Sequence, residues 1–358
     1  MTEPNNLQNS QSYLQRIQRL MRESIGELAP HCNFIMMFLL AMLAERTVSL
    51  PWIASVLPTG ATEESNRKRI QRFLNDARVT PIAFAKVIAR FMSNGPWILV
   101  IDRTNWFWGK SPINLLVLAV WCNGVAIPLL WEPLPRDGAS DTGQRIDLMK
   151  QFLDLWGSKH ILYLTGDREF IGADWIAWLK HARIPFRLRL RVDDLVRDRK
   201  GKVYEVAALF SRSQQCRKGQ FLLWGTWVYL GGKPLYGGDY LIVVSSDPGN
   251  LLEDYRNRWS IECLFQSLKG RGFHLEETRV VEPDRLSRLF GLLTLAYVLC
   301  VRIGQSLPQT ICKATKRARK SIARQGLEVA HRVAFWLLGP PSDLEIRWFL
   351  QALIPCKT

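Results

Sequence analysis

Tyr255, Arg258, Glu262 and Lys269 follow one another at separations of three, four and seven residues. On a helix of 3.6 residues per turn these separations put all four side chains on one face, where they can converge on one substrate. The same spacing also describes an exposed helix laced with charge pairs, which is the commoner arrangement for such residues taken alone. Two aspartates alter that balance. Asp102 closes the apolar run Ile98-Leu99-Val100-Ile101, and Asp167 closes the run that begins Ile161-Leu162-Tyr163-Leu164. Strand ends are where sites gather in α/β sheets, although a lone aspartate there is commonly a turn or cap residue. Together, Asp102, Asp167 and Glu262 make a hard, oxygen-rich set suited to magnesium, with manganese as a substitute. Two such ions about 3.5–4 Å apart activate one oxygen and stabilise another in phosphoryl transfer.

The elements that must position these groups are readable from periodicity. From about residue 10 to 92, apolar positions recur at three and four with punctuation at Pro30, Pro51, Pro58 and Pro81, which predicts a small helical domain. Within it, Thr62 precedes a helix whose face carries Arg67, Lys68, Arg69 and Arg72. This basic face is either a DNA-contacting helix, with Arg67 and Arg69 as its contacts, or a solvated surface. From Trp97 the pattern changes to a strand ending on Asp102, then two apolar runs joined through Cys122-Asn123-Gly124, a strong hairpin signal. A helix over 144–156, a strand at 161–164, a helix over 171–181 and a strand at 186–190 follow. The stretch 192–247 predicts short strands with turns, and a long helix is expected over 252–270.

Composition bounds the partner. The chain has 358 residues, 47% of them hydrophobic, enough for two or three domains with a sizeable core. Its 48 Lys+Arg against 32 Asp+Glu leave a net charge of +16, which favours a polyanion, and nucleic acid first. The basic residues are spread along the chain and not gathered beside an apolar anchor, so a membrane surface is disfavoured. The apolar runs 34–44 and 289–301 are shorter than the ~20 residues that cross a bilayer and are expected as buried helices. The start MTEPNNLQNSQ has no basic n-region, so a cytoplasmic, nucleoid-associated protein is expected. Seven cysteines without a CxxC pair are read as reduced thiols, not as a zinc site or a disulfide framework.

Tyr255-x2-Arg258-x3-Glu262-x6-Lys269 resembles, without a gap, the YREK signature of a group of bacterial insertion-sequence DDE transposases. Ile101-Asp102-Arg103-Thr104-Asn105-Trp106 and Thr165-Gly166-Asp167-Arg168-Glu169-Phe170 are similar to the two aspartate blocks of that group, and the resemblance covers roughly residues 97 to 303. It implies an α/β, ribonuclease H-like catalytic core over 96–191 and 251–305, interrupted by a β-rich insertion over 192–250. A helical DNA-binding domain over 1–95 would precede it and a helical region over 306–358, for DNA contact or dimerisation, would follow. The implied activity is metal-dependent cleavage of transposon ends by hydrolysis and transesterification through a hairpin, then strand transfer into target DNA.

Residue by residue, the resemblance makes Asp102, Asp167 and Glu262 the metal ligands, and Tyr255, Arg258 and Lys269 holders of DNA phosphates. Tyr240 stands where better-known members carry a tryptophan that stacks on an unpaired base, with Trp224 and Trp227 as rivals. Trp259 either touches DNA or packs in the core, and Arg103 and Arg168 either touch DNA or balance local charge. Lys313, Lys316, Arg317, Arg319, Lys320 and Arg324 form a basic stretch that is either a backbone contact or a solvated linker. The expected partners are double-stranded DNA, at transposon ends and target, and a second subunit in a homodimer formed on DNA. A nuclease with the same core that does not join, and a silent DNA-binding repressor, are the alternatives.

Overall fold

The computed structural model describes residues 15–135, 137–210, 215–216, 219–312, 318–335 and 343–355. The chain divides into two compact units. The first takes Met1–Ser93, Trp106–Ile113 and Leu264–Thr358, and the second takes Asn94–Asn105 and Asn114–Cys263.

The first unit is helical. After α1 (15–24) and a 3-10 turn at Gly26–His31 come α2 (Cys32–Glu45), α3 (Leu50–Val56), α4 (Glu63–Leu74) and α5 (Pro81–Ala89). Local chemistry sets the boundaries. Thr62 accepts a hydrogen bond from the Ser65 amide to cap α4, and Thr80 does the same for Ala83 at the start of α5, where Pro81 pre-sets the first turn. The long helix α10 (Pro283–Gln305) runs through the core and packs on α2, α5, α11 (Ile322–Ala334) and α12 (Asp343–Ala352). Its contact with α11 is backbone to backbone: a Cβ on Gly326 would fall 1.7 Å from the Cys300 carbonyl oxygen. At 23 residues α10 is long and apolar enough to cross a bilayer, and so is the stretch Gly26–Glu45. The expectation that both runs are too short is therefore corrected, because each helix extends past its apolar run. The reading of α10 as a core helix stands on a different footing, since 89% of its most apolar window is buried.

The second unit is built on one mixed sheet. Its order is β3-β2-β1-β4-β5-β11-β10-β9-β6-β7, with β8 (Gln215–Cys216) paired to β10. The strands β1 (Trp97–Trp108), β2 (Ser111–Cys122) and β3 (Val125–Pro133) are successive, and Asn123 and Gly124 form the two-residue loop between the last two, both with positive φ. Helix α6 (Thr142–Trp156) starts on a capping box between Asp141 and Gln144. β4 (Ile161–Gly166) lies parallel to β1 and to β5 (Phe186–Arg189), with α7 (Ala173–His181) as the crossover. β6 (Leu195–Arg197), β7 (Val203–Glu205), β9 (Phe221–Leu223), β10 (Thr226–Pro234) and β11 (Tyr240–Ser245) complete the sheet. The short-stranded stretch is not a detached layer: β11 pairs antiparallel with β5 and extends the same sheet.

Two local expectations are corrected. β1 does not stop at Asp102 but runs on to Trp108, because the alternation of buried and exposed residues continues through Thr104 and Trp106. The helix expected over 252–270 is three pieces: α8 (Leu251–Tyr255), a 3-10 turn at Arg256–Arg258, and α9 (Trp259–Leu268). The tighter turn changes the angular spacing between Tyr255 and Glu262 without breaking the chain's course.

Gly166, the last residue of β4, shows how tightly the two aspartate strands are packed. A Cβ there would meet Ile101 Cγ2 at 2.9 Å, Phe170 Cβ at 3.2 Å and Leu188 Cδ2 at 3.3 Å. Gly166→Ala is expected to lower stability by about 1–3 kcal/mol through overpacking, read as a lower denaturant midpoint with an unchanged slope.

Candidate active site

The second unit brings Asp102, Asp167 and Glu262 around one guanidinium. Arg258 Nη1 lies 3.7 Å from Asp102 Oδ2 and 4.0 Å from Asp167 Oδ2, while Nη2 donates to Glu262 Oε1. The Arg258 side chain is only 10% exposed, so these charges meet where water screens them poorly. Burial alone would lower its pKa, but Tyr255, Asp167 and Glu262 outweigh that and hold it above the ordinary arginine value. Arg258 therefore carries its charge throughout the working range.

Each acid has its own setting. Asp102 sits inside β1 and accepts the Arg103 amide at 2.8 Å. Burial pushes its carboxyl up to about 7, against the opposing pull of that amide and of Arg258, with Glu169 and Asp167 adding repulsion. Asp167 follows β4 directly, accepts the Arg168 amide at 2.7 Å and the Tyr255 hydroxyl at 3.3 Å, and has Arg189 at 3.7 Å. Burial raises the Tyr255 pKa, so its hydroxyl stays a donor. Glu262, in the first turn of α9, is 30% exposed.

The chain seats α8 through a network behind the site. Arg187, almost fully buried on β5, pairs with Asp247 at 2.6 Å and with Asp254 of α8 at 3.1 Å, and its guanidinium lies over the Tyr163 ring. Tyr163 donates to the Asp254 carbonyl at 3.2 Å and accepts from Asn257 at 2.8 Å. Leu251, Leu252 and Tyr255 close the other side of α8 against Val243. Strands β4, β5 and β11 thus hold the segment that carries Tyr255 and Arg258.

Other residues singled out in the sequence take varied places. Arg103 turns to Glu169 at 3.0 Å and is mostly covered. Arg168 is exposed and, with Arg189, Leu190, Arg191, Val192, Asp193, Asp239 and Tyr240, lines a cavity of about 240 Å³. Trp224 and Trp227 are each 39% exposed, with Arg199 over the Trp227 ring. Trp259 is 59% exposed, which removes the core alternative for it. Lys269 belongs to the first unit, where it pairs with Glu276 at 3.0 Å and lies over the Trp106 ring. On α4, Arg67 pairs with Glu63 and Lys68 with Glu64, whereas Arg69 is exposed. Of the basic stretch, Arg319, Lys320 and Arg324 are described, the last two paired with Glu328; Lys313, Lys316 and Arg317 lie outside the described residues.

The sequence reading missed Arg187, Arg189 and Asp239. A signal was present: two arginines at i and i+2 in a short strand share one face. Which face that was depended on the neighbours of β5.

Three carboxylates around a buried cation supply the hard oxygens and the negative charge that a divalent ion requires. As they stand they are spread around the guanidinium: among the described residues no three His, Cys, Asp or Glu side chains are drawn together closely enough to hold an ion. The donor set fits such an ion in its chemistry, and Arg258 stands between the donors.

The family model described as the transposase DDE domain matches residues 132–299, a little under half of the chain. The matched span takes in Asp167, Tyr255, Arg258, Glu262 and Lys269 and begins after Asp102. No curated protein matches the chain. The match, on a mixed α/β sheet with flanking helices, supports a DDE transposase, hence an enzyme of the nuclease and transposase class that acts on DNA with divalent metal ions.

The raised Asp102 pKa makes a pH prediction for the metal-free protein. The folded carboxyl releases its proton near pH 7 and the unfolded one near 4, so between these values the folded form binds more protons. Stability from this group is greatest below that window and falls as pH rises through it, by at most about 1.4 kcal/mol per pH unit. Thermal melts from pH 4.5 to 8 check this, and Asp102→Asn is expected to flatten the slope.

Proposed function

We propose that this chain is a cut-and-paste DNA transposase whose metal ligands are Asp102, Asp167 and Glu262. The observation that carries the reading is the meeting of these three acids, from a strand, a strand end and a helix, around Arg258. The strand order β3-β2-β1-β4-β5, with β1, β4 and β5 parallel, supports a ribonuclease H-like core. Magnesium or manganese, when bound, supplies a polarised water or hydroxyl oxygen and stabilises the leaving oxygen.

The protein's own groups supply the rest. Tyr255 and Arg258 bind phosphates near the scissile bond, and Lys269, in the first unit, also binds a DNA phosphate. Arg168, Arg189 and Arg191 place positive charge round the cavity beside Tyr240, a setting for an unpaired base stacked on the tyrosine ring with its phosphates paired to arginine. This suits a course in which one strand is nicked, the freed 3′-hydroxyl attacks the opposite strand to make a hairpin, and the reopened end joins target DNA. Under this reading the helices of 1–95 bind DNA with the exposed Arg69 face of α4. A homodimer forms when two ends are held together.

The test is a labelled duplex carrying the element end, incubated with and without magnesium and resolved by denaturing electrophoresis. The expected result is a magnesium-dependent nick that converts into a hairpin. Nicking without hairpin or joined product would transfer the assignment to a nuclease, and binding without cutting to a repressor. Glu262→Gln is expected to leave end binding within about threefold of wild type while abolishing cleavage, because affinity is spread over many phosphate contacts. Wild-type cutting by that variant would remove Glu262 from the site.

A further inference from the structure

Arg258 lies among the three acids that would hold a divalent ion. All three acids address it: Nη1 stands 3.7 Å from Asp102 Oδ2 and 4.0 Å from Asp167 Oδ2, and Nη2 bonds Glu262. A divalent ion held by the same oxygens would bring its charge in among the carboxylates, beside the guanidinium. Two cations side by side in a poorly screened site repel strongly. The neighbouring cations do not relieve the conflict. Arg189 is divided between Asp167 at 3.7 Å and Asp239 at 3.5 Å, and Arg103 is held by Glu169.

We propose that Arg258 is the resident counter-ion of the acidic trio in the DNA-free protein, competing with divalent metal until a DNA phosphate draws its guanidinium away. The inference rests on the reading of Asp102, Asp167 and Glu262 as metal ligands. It adds a regulatory consequence: metal binds weakly without DNA, and metal and DNA phosphate favour each other's binding by the same factor. The side chain has the means to move. Its long stem carries the charge, and Tyr255, whose ring lies 5.8 Å from the guanidinium carbon, keeps its own bond to Asp167. A DNA-free protein in this state is guarded against nicking at stray sites, since the ion is held weakly until a phosphate draws the guanidinium away.

The test is Mn2+ binding to the full-length, DNA-free protein, followed by electron paramagnetic resonance of the free ion, in wild type, Arg258→Gln, Arg258→Lys and Arg258→Gln/Glu262→Gln. Removing the competing charge is expected to tighten Mn2+ binding by about tenfold or more in Arg258→Gln. Arg258→Lys keeps a cation and is expected to stay close to wild type. The double variant is expected to lose the gain. Equal Mn2+ affinity in wild type and Arg258→Gln, with both dependent on Glu262, would overturn the counter-ion role and leave the metal-ligand reading standing. Mn2+ binding indifferent to Glu262 in every variant would overturn the metal-ligand reading itself. Should Arg258→Gln fail to fold, the wild type alone decides through duplex DNA added to the titration: a Mn2+ affinity unchanged by DNA overturns the proposal.

Discussion

Carboxylates repel one another, and holding Asp102, Asp167 and Glu262 around a common centre requires a cation close by and a scaffold stiff enough to resist the repulsion. Arg258 is that cation. The scaffold is the parallel trio β1, β4 and β5, packed so closely at Gly166 that a Cβ there would press on Ile101 and Leu188. Asp102 is held there in an environment that favours its protonated form, while Asp167 looks outward at the strand end with two cations and a hydroxyl at hand.

The second constraint is the seat of α8. Its backbone and side chains are gripped by Arg187 and by Tyr163, which Asn257 holds in turn, and its apolar face closes on Val243. Because β11 belongs to the stretch 192–247 and pairs with β5, that stretch and the strands before it share one hydrogen-bonded sheet. Tyr240 and Asp239, at the start of β11, reach the cavity beside the second aspartate by virtue of that pairing. The stretch 192–247 therefore contributes to the surroundings of the site as well as adding surface.

Much of this was legible in one dimension. Periodicity located the helices of the first ninety residues, and the Asn123-Gly124 loop announced the β2–β3 hairpin because its two positive φ values suit few other pairs. Other features were not. The run of β1 beyond Asp102 and the break of the expected long helix at Arg256–Arg258 depend on what each segment packs against, which no local pattern encodes. The burial of Arg187 could not be foreseen either, since an arginine is placed inside only when partners distant in sequence, here Asp247 and Asp254, are waiting for it.

The sequence by itself determined which groups are available for chemistry: two aspartates on apolar strands, and a tyrosine, an arginine, a glutamate and a lysine at helical spacing. Its net charge of +16 also favours a polyanionic partner. Tertiary structure decided how they meet. Arg258 lies among the acids, Arg103 is drawn off to Glu169, and Trp259 is left at the surface. Residue type and spacing are local properties, whereas the field at a side chain is the sum over neighbours brought together only when the sheet forms.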